Sequence, residues 1–355
     1  MKVYVYPADT TGCGFYRAIW PAKAVMEKYD IEIVVSAKDD QKNDLQAEVR
    51  DGKIYAVKFP EDADVIVMQR PMHVWLGKAI PYLRMAGVGV VVDIDDDLES
   101  LHPAHPAYAS LHPRNNQVYN WNVARQSCRD ATLVTVSTEP LRKMYMPLTG
   151  ECRVIKNGVP ESFFEINEPT TTSISRTIGW MGSVHSHPDD LQAMGQTPSR
   201  LQREGYAWKF VGPDRGIQTA LRFDTMPFAT GYVQMEDIPW EIQRTIGIGV
   251  APLQDTRFNR AKSYLKELEY ASLGVPSVCS DLPEYRELAK DTGALLARRP
   301  KDWYQHLKRL ATDDAFRTAL GEKARRGAAK HTIESKADQW AQAWLTAYKM
   351  AQTER

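Results

Sequence analysis

The chain has 355 residues, 43% hydrophobic and 25% charged, and its 45 basic and 45 acidic side chains leave a formal net charge of zero. That length holds two ordinary domains, and the balance is that of a soluble globular protein. No run approaches the roughly 18 apolar residues that span a bilayer, and zero net charge excludes any global attraction to nucleic acid or anionic membrane, leaving only a local basic patch open.

The opening MKVYVYPADT lacks the basic-then-apolar stretch of a secretory leader and reads as a β-strand running into a loop. Further strands are expected at IEIVVS, ADVIVMQR, GVGVVVDID, ATLVTVS and CRVIKNG, with amphipathic helices such as YRAIWPAKAVMEKY and VWLGKAIPYLRMAG between them. The second half repeats the scheme with RTIGWMG, AWKFVGP, IGIGVAPL, PSVCSD and GALLAR. Apolar strands alternating with helices imply parallel sheets covered on both faces. The polar stretch EINEPTTTSISR, around residues 165 to 175, reads as a linker. Two doubly wound α/β domains follow, at residues 1–168 and 174–334. The last helix, IESKADQWAQAWLTAYKMAQ, lines one face with Trp340, Trp344 and Tyr348; residues 335–355 are expected to cross back and complete the first domain. Cys13, Cys128, Cys152 and Cys279 form no CxxC and read as reduced thiols, so a cytoplasmic setting is expected.

In open parallel sheets, ligands bind beyond the carboxyl ends of the strands. QDTRFNR is such a loop after IGIGVAPL, and AKSYLKELEYASL is the helix expected after it. At about 100° per residue, Lys262, Lys266 and Glu269 share one side of that helix, and Tyr264, Leu265, Leu268 and Ala271 face the sheet. Ser263 falls in the first turn, where a hydroxyl and free N–H groups meet an anion. Two ammonium groups there suit a diphosphate, and a carboxylate farther along suits a ribose diol. Gly274 is placed to cap the helix. The bland alternative is a solvated face with i,i+4 charge spacing.

ELEYASLGVPSV followed by SDLPEY closely resembles the nucleotide-sugar segment of GT-B glycosyltransferases, specifically the retaining family-four group, which reads E-A-x-A-x-G-x-P-V-V-x-S here. The likeness covers nearly all of residues 176 to 290. It implies two Rossmann-like domains facing across a cleft, with Glu269 on the donor ribose. The family's E-x(7)-E pair would need a first glutamate at position 261, where this chain has Ala261; donor contacts then pass to Asn259, Arg260 or Lys262. IGWMGSVHSHPDDL resembles the first strand and loop of the donor domain, so Gly182, Ser183 and His185 join the donor set. His185 and His187 stand two apart without a third ligand of recognisable spacing, so no metal is expected. WKFVGP contributes Gly212, and FATGYVQMEDIP resembles the stretch that contacts the nucleotide base through Tyr232 and Val233.

In the first domain, DTTGCGFYRAIW places Gly12 and Gly14 after the first strand, a poor dinucleotide fingerprint without its third glycine. By the resemblance this loop approaches donor phosphates or acceptor, with Arg17 available to phosphate or held in a structural salt bridge. Asp93, Asp95, Asp96 and Asp97 follow an apolar strand. A metal-binding DxD of the other glycosyltransferase fold conflicts with two Rossmann-like halves, so Asp93 or Asp95 is expected to orient the acceptor.

The resemblance therefore implies transfer of a sugar, with retention, from a nucleoside-diphosphate sugar to an acceptor hydroxyl, by Lys262 and Lys266 and without metal or other cofactor. Polysaccharide, lipid-linked sugar, protein side chain and modified nucleobase all remain open as acceptors. The alternative is a nonenzymatic nucleotide-binding or assembly protein on a degenerate GT-B fold. A Rossmann oxidoreductase has only GCGFYR in its favour.

Overall fold

The computed structural model describes residues 1–36, 44–166 and 172–353. The chain forms two compact units, one of Met1–Pro103, Ala107–Asn157 and Ile333–Arg355, the other of Ala104–Pro106 and Gly158–Thr332. Part of the expected linker, residues 167–171, lies outside the described residues, and Thr172–Ser175 is helical.

The strands of the first unit are β1 (Lys2–Tyr6), β2 (Glu32–Val35), β3 (Gln46–Arg50), β4 (Lys53–Lys58), β5 (Val65–Gln69), β6 (Gly89–Ile94), β7 (Leu133–Val136) and β8 (Cys152–Val154). Six of them make a parallel sheet in the order β2-β1-β5-β6-β7-β8. Every residue of β5 and β6 is buried, as continuous β-branched runs require when helices cover both faces. The sequence reading assigns no strand to residues 46–58, yet β3 and β4 pair there as an antiparallel hairpin. Its turn is Asp51-Gly52, with φ of 50° and 71°; two left-handed central residues match the twist of a hairpin, and an Asp-Gly pair adopts them readily.

After β1 the chain is helical from Gly12 to Lys28, with a π-helical turn at Phe15–Ile19. Asp9 Oδ1 accepts the backbone N–H groups of Thr11 (2.9 Å) and Gly14 (3.1 Å). A Cβ on Gly14 would lie 1.8 Å from the Asp9 carbonyl oxygen, so only glycine fits. One turn on, Arg17 is 2% exposed and Asp93, on β6, is fully buried. The guanidinium grips both carboxylate oxygens, at 3.0 and 2.7 Å, and also donates to the Ile155 carbonyl and to Asn157 Oδ1. Thr135 donates a further hydrogen bond to Asp93 (2.7 Å). The helix Ala337–Thr353 packs on β6 and on the helix Trp20–Lys28, and Trp340 lies beneath the Arg17 guanidinium, 4.6 Å from its ring centroid.

The second unit contains β9 (Ile178–Met181), β10 (Trp208–Val211), β11 (Phe228–Ala229), β12 (Ile248–Ala251), β13 (Ser277–Ser280) and β14 (Leu295–Ala297). They form one parallel sheet in the order β11-β10-β9-β12-β13-β14. Strand order reverses between β9 and β12, the position where open α/β sheets leave a ligand crevice.

Arg17→Met should leave the Asp93 carboxylate buried and unpaired. Removing one partner of such a pair costs about 3–5 kcal/mol, so urea denaturation should show a loss of that order; a midpoint equal to wild type would mean that the pair carries little stability.

Candidate functional site

The loops leaving β9 and β10 meet at two glycines. Gly182 follows β9 with φ +145°, and Gly212 follows β10 with φ +134°. A Cβ on Gly212 would lie 2.3 Å from the Gly182 carbonyl oxygen, and one on Gly182 would strike the Trp180 ring at 2.8 Å. Both positions thus require glycine, for conformation and for space. The same hypothetical Cβ on Gly182 would lie 3.4 Å from Lys266 Nζ, so an ammonium group stands beside the bare backbone of this turn.

Lys266 belongs to the helix Leu265–Ser272, which is shorter than the sequence reading expects. Residues Arg257–Arg260 form a separate helical turn, capped by Thr256 Oγ1 accepting the Asn259 N–H (3.1 Å), and the chain then bends before Leu265. Lys262 and Ser263 therefore precede the helix; Ser263 is not in its first turn. Lys262 and Lys266 nevertheless lie in each other's field. Burial pushes the Lys266 ammonium down to about 8, Glu269 opposes the shift and Lys262 adds to it. Lys266 donates to the Met181 carbonyl and sits 5.3 Å from the Trp180 ring centroid, and Lys262 lies over Phe258 at 4.8 Å.

The helix is enclosed from Glu267 to Ser272 rather than having one wet side. Tyr264, Leu268 and Ala271 are buried as expected from the sequence, and Leu265 only half so. The Tyr270 ring lies against Gly249, and its hydroxyl accepts the Met181 N–H at 2.9 Å. Glu269 is 4% exposed. Gly274 takes φ +71° beyond the helix end, the left-handed cap that glycine supplies. Glu267 is fully buried, and among the described residues neither of its oxygens has a hydrogen-bond partner; the Thr292 hydroxyl beside it bonds the Leu288 carbonyl. Burial pushes the Glu267 carboxyl up to about 8, with the neighbouring Thr292 hydroxyl opposing the shift.

Asn259 and Arg260, expected among the donor contacts, are held by partners within the chain. Asn259 is buried, and its Nδ2 donates to Asp190 Oδ1 (2.6 Å) and to the Gln254 carbonyl (3.0 Å). Arg260 is exposed, pairs with Asp255, and lines a different cavity of 600 Å³ with Arg286 and Arg298. Ser183 precedes the short helical turn Val184–Ser186, on which His185 is exposed. Tyr232 is 71% exposed and Val233 is partly buried. Their loop hangs on Gly212, whose N–H donates to Thr230 Oγ1 (3.0 Å) and whose carbonyl accepts the Gly231 N–H (3.1 Å).

In the first unit, Arg17 and Asp93 occupy each other, so neither is available to phosphate or acceptor. Asp95, at the end of β6, is buried against the Arg70 guanidinium, which also reaches Asp96 (3.0 Å). Burial raises the Asp95 carboxyl, with Arg70 opposing. Arg70 has φ +47°, an uncommon left-handed conformation for a non-glycine residue at a strand end. Gln69 ties the Gly12 loop down, accepting the Ala8 N–H and donating to the Cys13 carbonyl, both at 3.0 Å.

The sequence reading misses Asp190, Trp180 and Tyr270, and considers His187 only as a metal ligand. Asp190 accepts from Gln254 N (2.9 Å) and Asn259 Nδ2, and faces His187 Nδ1 at 3.0 Å. No spacing announces these contacts, since the partners of Asp190 lie 64 and 69 residues away.

No family model and no curated protein matches the chain. Solved structures do. An α-glucosyltransferase in complex with UDP-glucose and DNA containing an abasic site superposes with TM-score 0.63 at 14% identity, covering 97% of this chain and 99% of that one. HepE of Anabaena with UDP-glucose gives 0.61 at 13% identity, covering 96% and 98%. Sucrose-phosphate synthase of Thermosynechococcus elongatus gives 0.60 at 13% identity, covering 96% and 98%. The fold is therefore that of the GT-B glycosyltransferases, two Rossmann-like parallel-sheet units with the last helix returned to the first. Among the described residues no helix is long and apolar enough to cross a membrane.

Glu267 supplies a test of this packing. Between its ordinary value of 4.5 and about 8, the folded chain keeps a proton that the unfolded chain has lost, so stability falls as pH rises through that window and levels off above it. Glu267→Gln should remove this contribution, up to about 1.4 kcal/mol per pH unit, and gain on wild type progressively from pH 5 to pH 8 in urea denaturation. A constant difference across that range would show that the carboxyl is not kept neutral by burial.

Proposed function

We propose that the chain is a glycosyltransferase that moves a sugar from a nucleoside-diphosphate sugar to an acceptor hydroxyl. One observation carries this reading: the Lys266 ammonium, with Lys262 in its field, stands beside the side-chain-free turn at Gly182, where strand order reverses. An ammonium group beside a glycine turn, with a second lysine in its field, suits a diphosphate and stabilises the charge that develops on it as the glycosidic bond breaks. Burial displaces the half-buried ammonium toward neutrality, and a dianion bound beside it would reverse that shift by favouring the charged form. Glu269, buried on the same helix, is assigned to the ribose diol, and Tyr232 and Val233 to the base.

In the proposed transfer the bond between the anomeric carbon and the phosphate oxygen breaks, its electron pair leaving with the diphosphate. The acceptor oxygen bonds the anomeric carbon and its proton passes to the leaving phosphate oxygen, so retention needs no dedicated protein base. The family-four likeness of ELEYASLGVPSV supports retention. With Asp93 committed to Arg17, Asp95 is the remaining acid of the pair for orienting an acceptor. The structural neighbours whose names carry UDP or UDP-glucose support a nucleotide-sugar donor, and the cationic turn is proposed to act without a metal.

Ala261 favours a second reading, a nucleotide-binding protein without transfer chemistry. Incubation with a panel of nucleotide sugars separates the two, because a pure binder releases no nucleoside diphosphate.

Lys266→Ala and Glu269→Ala should each weaken binding of the nucleotide-sugar donor at least tenfold, with the thermal midpoint of the Lys266 variant close to wild type. Wild-type affinity in both variants would defeat the assignment. The affinity of the wild-type chain for a nucleoside diphosphate should also decline as pH rises through about 8, where Lys266 loses its charge, and Lys266→Arg should abolish that decline.

A further inference from the structure

Beside the cationic turn lies a cavity of 460 Å³, within the size range of small-molecule sites. Val184, Pro188 and Leu191 from the loop after β9, and Ala220 from the helix after β10, give it apolar walls, and His187 is part of its lining. This histidine is tightly placed. Its Nδ1 faces Asp190 Oδ2 at 3.0 Å, and its ring stands edge-on to Trp180 at 5.6 Å and 84°.

The tautomer follows from Asp190. That carboxylate, 4% exposed, accepts from Gln254 N and Asn259 Nδ2 on its other oxygen. It is surrounded by donors, so the His187 nitrogen facing it carries the proton. Burial holds the imidazole at about 4, Asp190 opposing and Lys266 and Lys262 adding to the shift. The ring is therefore neutral near pH 7, and Nε2 is left with a lone pair. A neutral acceptor in an apolar wall repels anions and suits a hydroxyl carried on a body with C–H faces. A pyranose has that chemistry.

We propose that this cavity receives a pyranose-type sugar, one hydroxyl of which donates to Nε2 of His187, with Asp190 as the positioning residue that fixes the ring. The inference rests on the donor-site reading above, because the Trp180 ring lies 5.6 Å from the His187 ring and 5.3 Å from the Lys266 ammonium, which puts the sugar next to the diphosphate. The sugar is the donor's own or a saccharide acceptor.

Calorimetric titrations of UDP, GDP, UDP-glucose, GDP-mannose and maltose into wild type, His187→Ala and His187→Gln decide the matter. Loss of one neutral hydrogen bond weakens binding about three- to tenfold. His187→Ala should show that loss for a nucleotide sugar or for maltose, with UDP and GDP affinities unchanged, and His187→Gln, whose amide oxygen also accepts, should recover part of it. A loss confined to nucleotide sugars identifies the donor sugar, and one confined to maltose identifies an acceptor. Asp190→Asn should lose a similar increment and the double variant no more than either single one, as residues acting through one contact do. Unchanged saccharide affinity in His187→Ala, an equal loss for the plain nucleotides, or no saccharide binding by wild type overturns the proposal. A wild-type chain that binds maltose but no nucleotide overturns the donor reading instead and leaves the cavity assignment standing.

Discussion

Both backbone polar groups of Met181 are taken by one helix. Its N–H donates to the Tyr270 hydroxyl and its carbonyl accepts from the Lys266 ammonium. Met181 is the last residue of β9, and the glycine turn begins one residue later. The grip therefore sets the position of the cationic helix against the bare turn with little slack, because two hydrogen bonds at opposite edges of one residue cannot both survive a slide of the helix. Tyr270 can reach only because Gly249 leaves room for its ring on β12. A missing side chain on one strand, a hydroxyl on the helix and a missing side chain beyond the neighbouring strand thus act as a single device.

The electrostatic arrangement of that helix is costly in itself. Lys266 is pushed toward neutrality by burial and by a second lysine, while Glu267, the next residue, is kept protonated by burial on the other side. A half-buried ammonium next to another cation is tolerable where a ligand brings compensating charge, and the field it exerts requires no reorganisation at the moment of reaction. Glu267 has no such partner.

Much of this was legible in the chain. Short apolar runs marked all eleven strands expected from the sequence, and the alternation with helices gave parallel sheets. The hairpin at residues 46–58 carried a signal that went unread: Asp51-Gly52 between alternating apolar positions is a strong hairpin turn. The two-residue β11 carried none. At the site, Glu269 and Lys266 stood out because helix periodicity and a recognisable motif coincide there. The bend at 261–264 did not, because the apolar spacing runs on through it while the side chain of Asn259 is fixed by a carboxylate 69 residues away. The same applies to the partner of Arg17, whose place in the first helix suggested a phosphate or a structural salt bridge and whose buried carboxylate lies 76 residues along. Pairings at that distance depend on which strand neighbours which, and sheet order is the property least visible in local pattern.

The Arg17–Asp93 pair also explains why the last helix belongs to the first unit. A buried ion pair pays a desolvation cost that excellent geometry must offset. The guanidinium has Asp93, Ile155 and Asn157 in its plane and the Trp340 ring across its face, so all of its surroundings are accounted for only when residue 340 has arrived. Gly89 supports the same arrangement from β6: a Cβ there would lie 2.7 Å from the Ala347 backbone, so the helix lies directly on the strand that carries Asp93. Trp340 and Trp344, readable in advance as an aromatic face, thereby seal the charge at the centre of a sheet whose strands ended nearly two hundred residues earlier in the chain. The first unit is complete only when the last segment of the chain has been added to it.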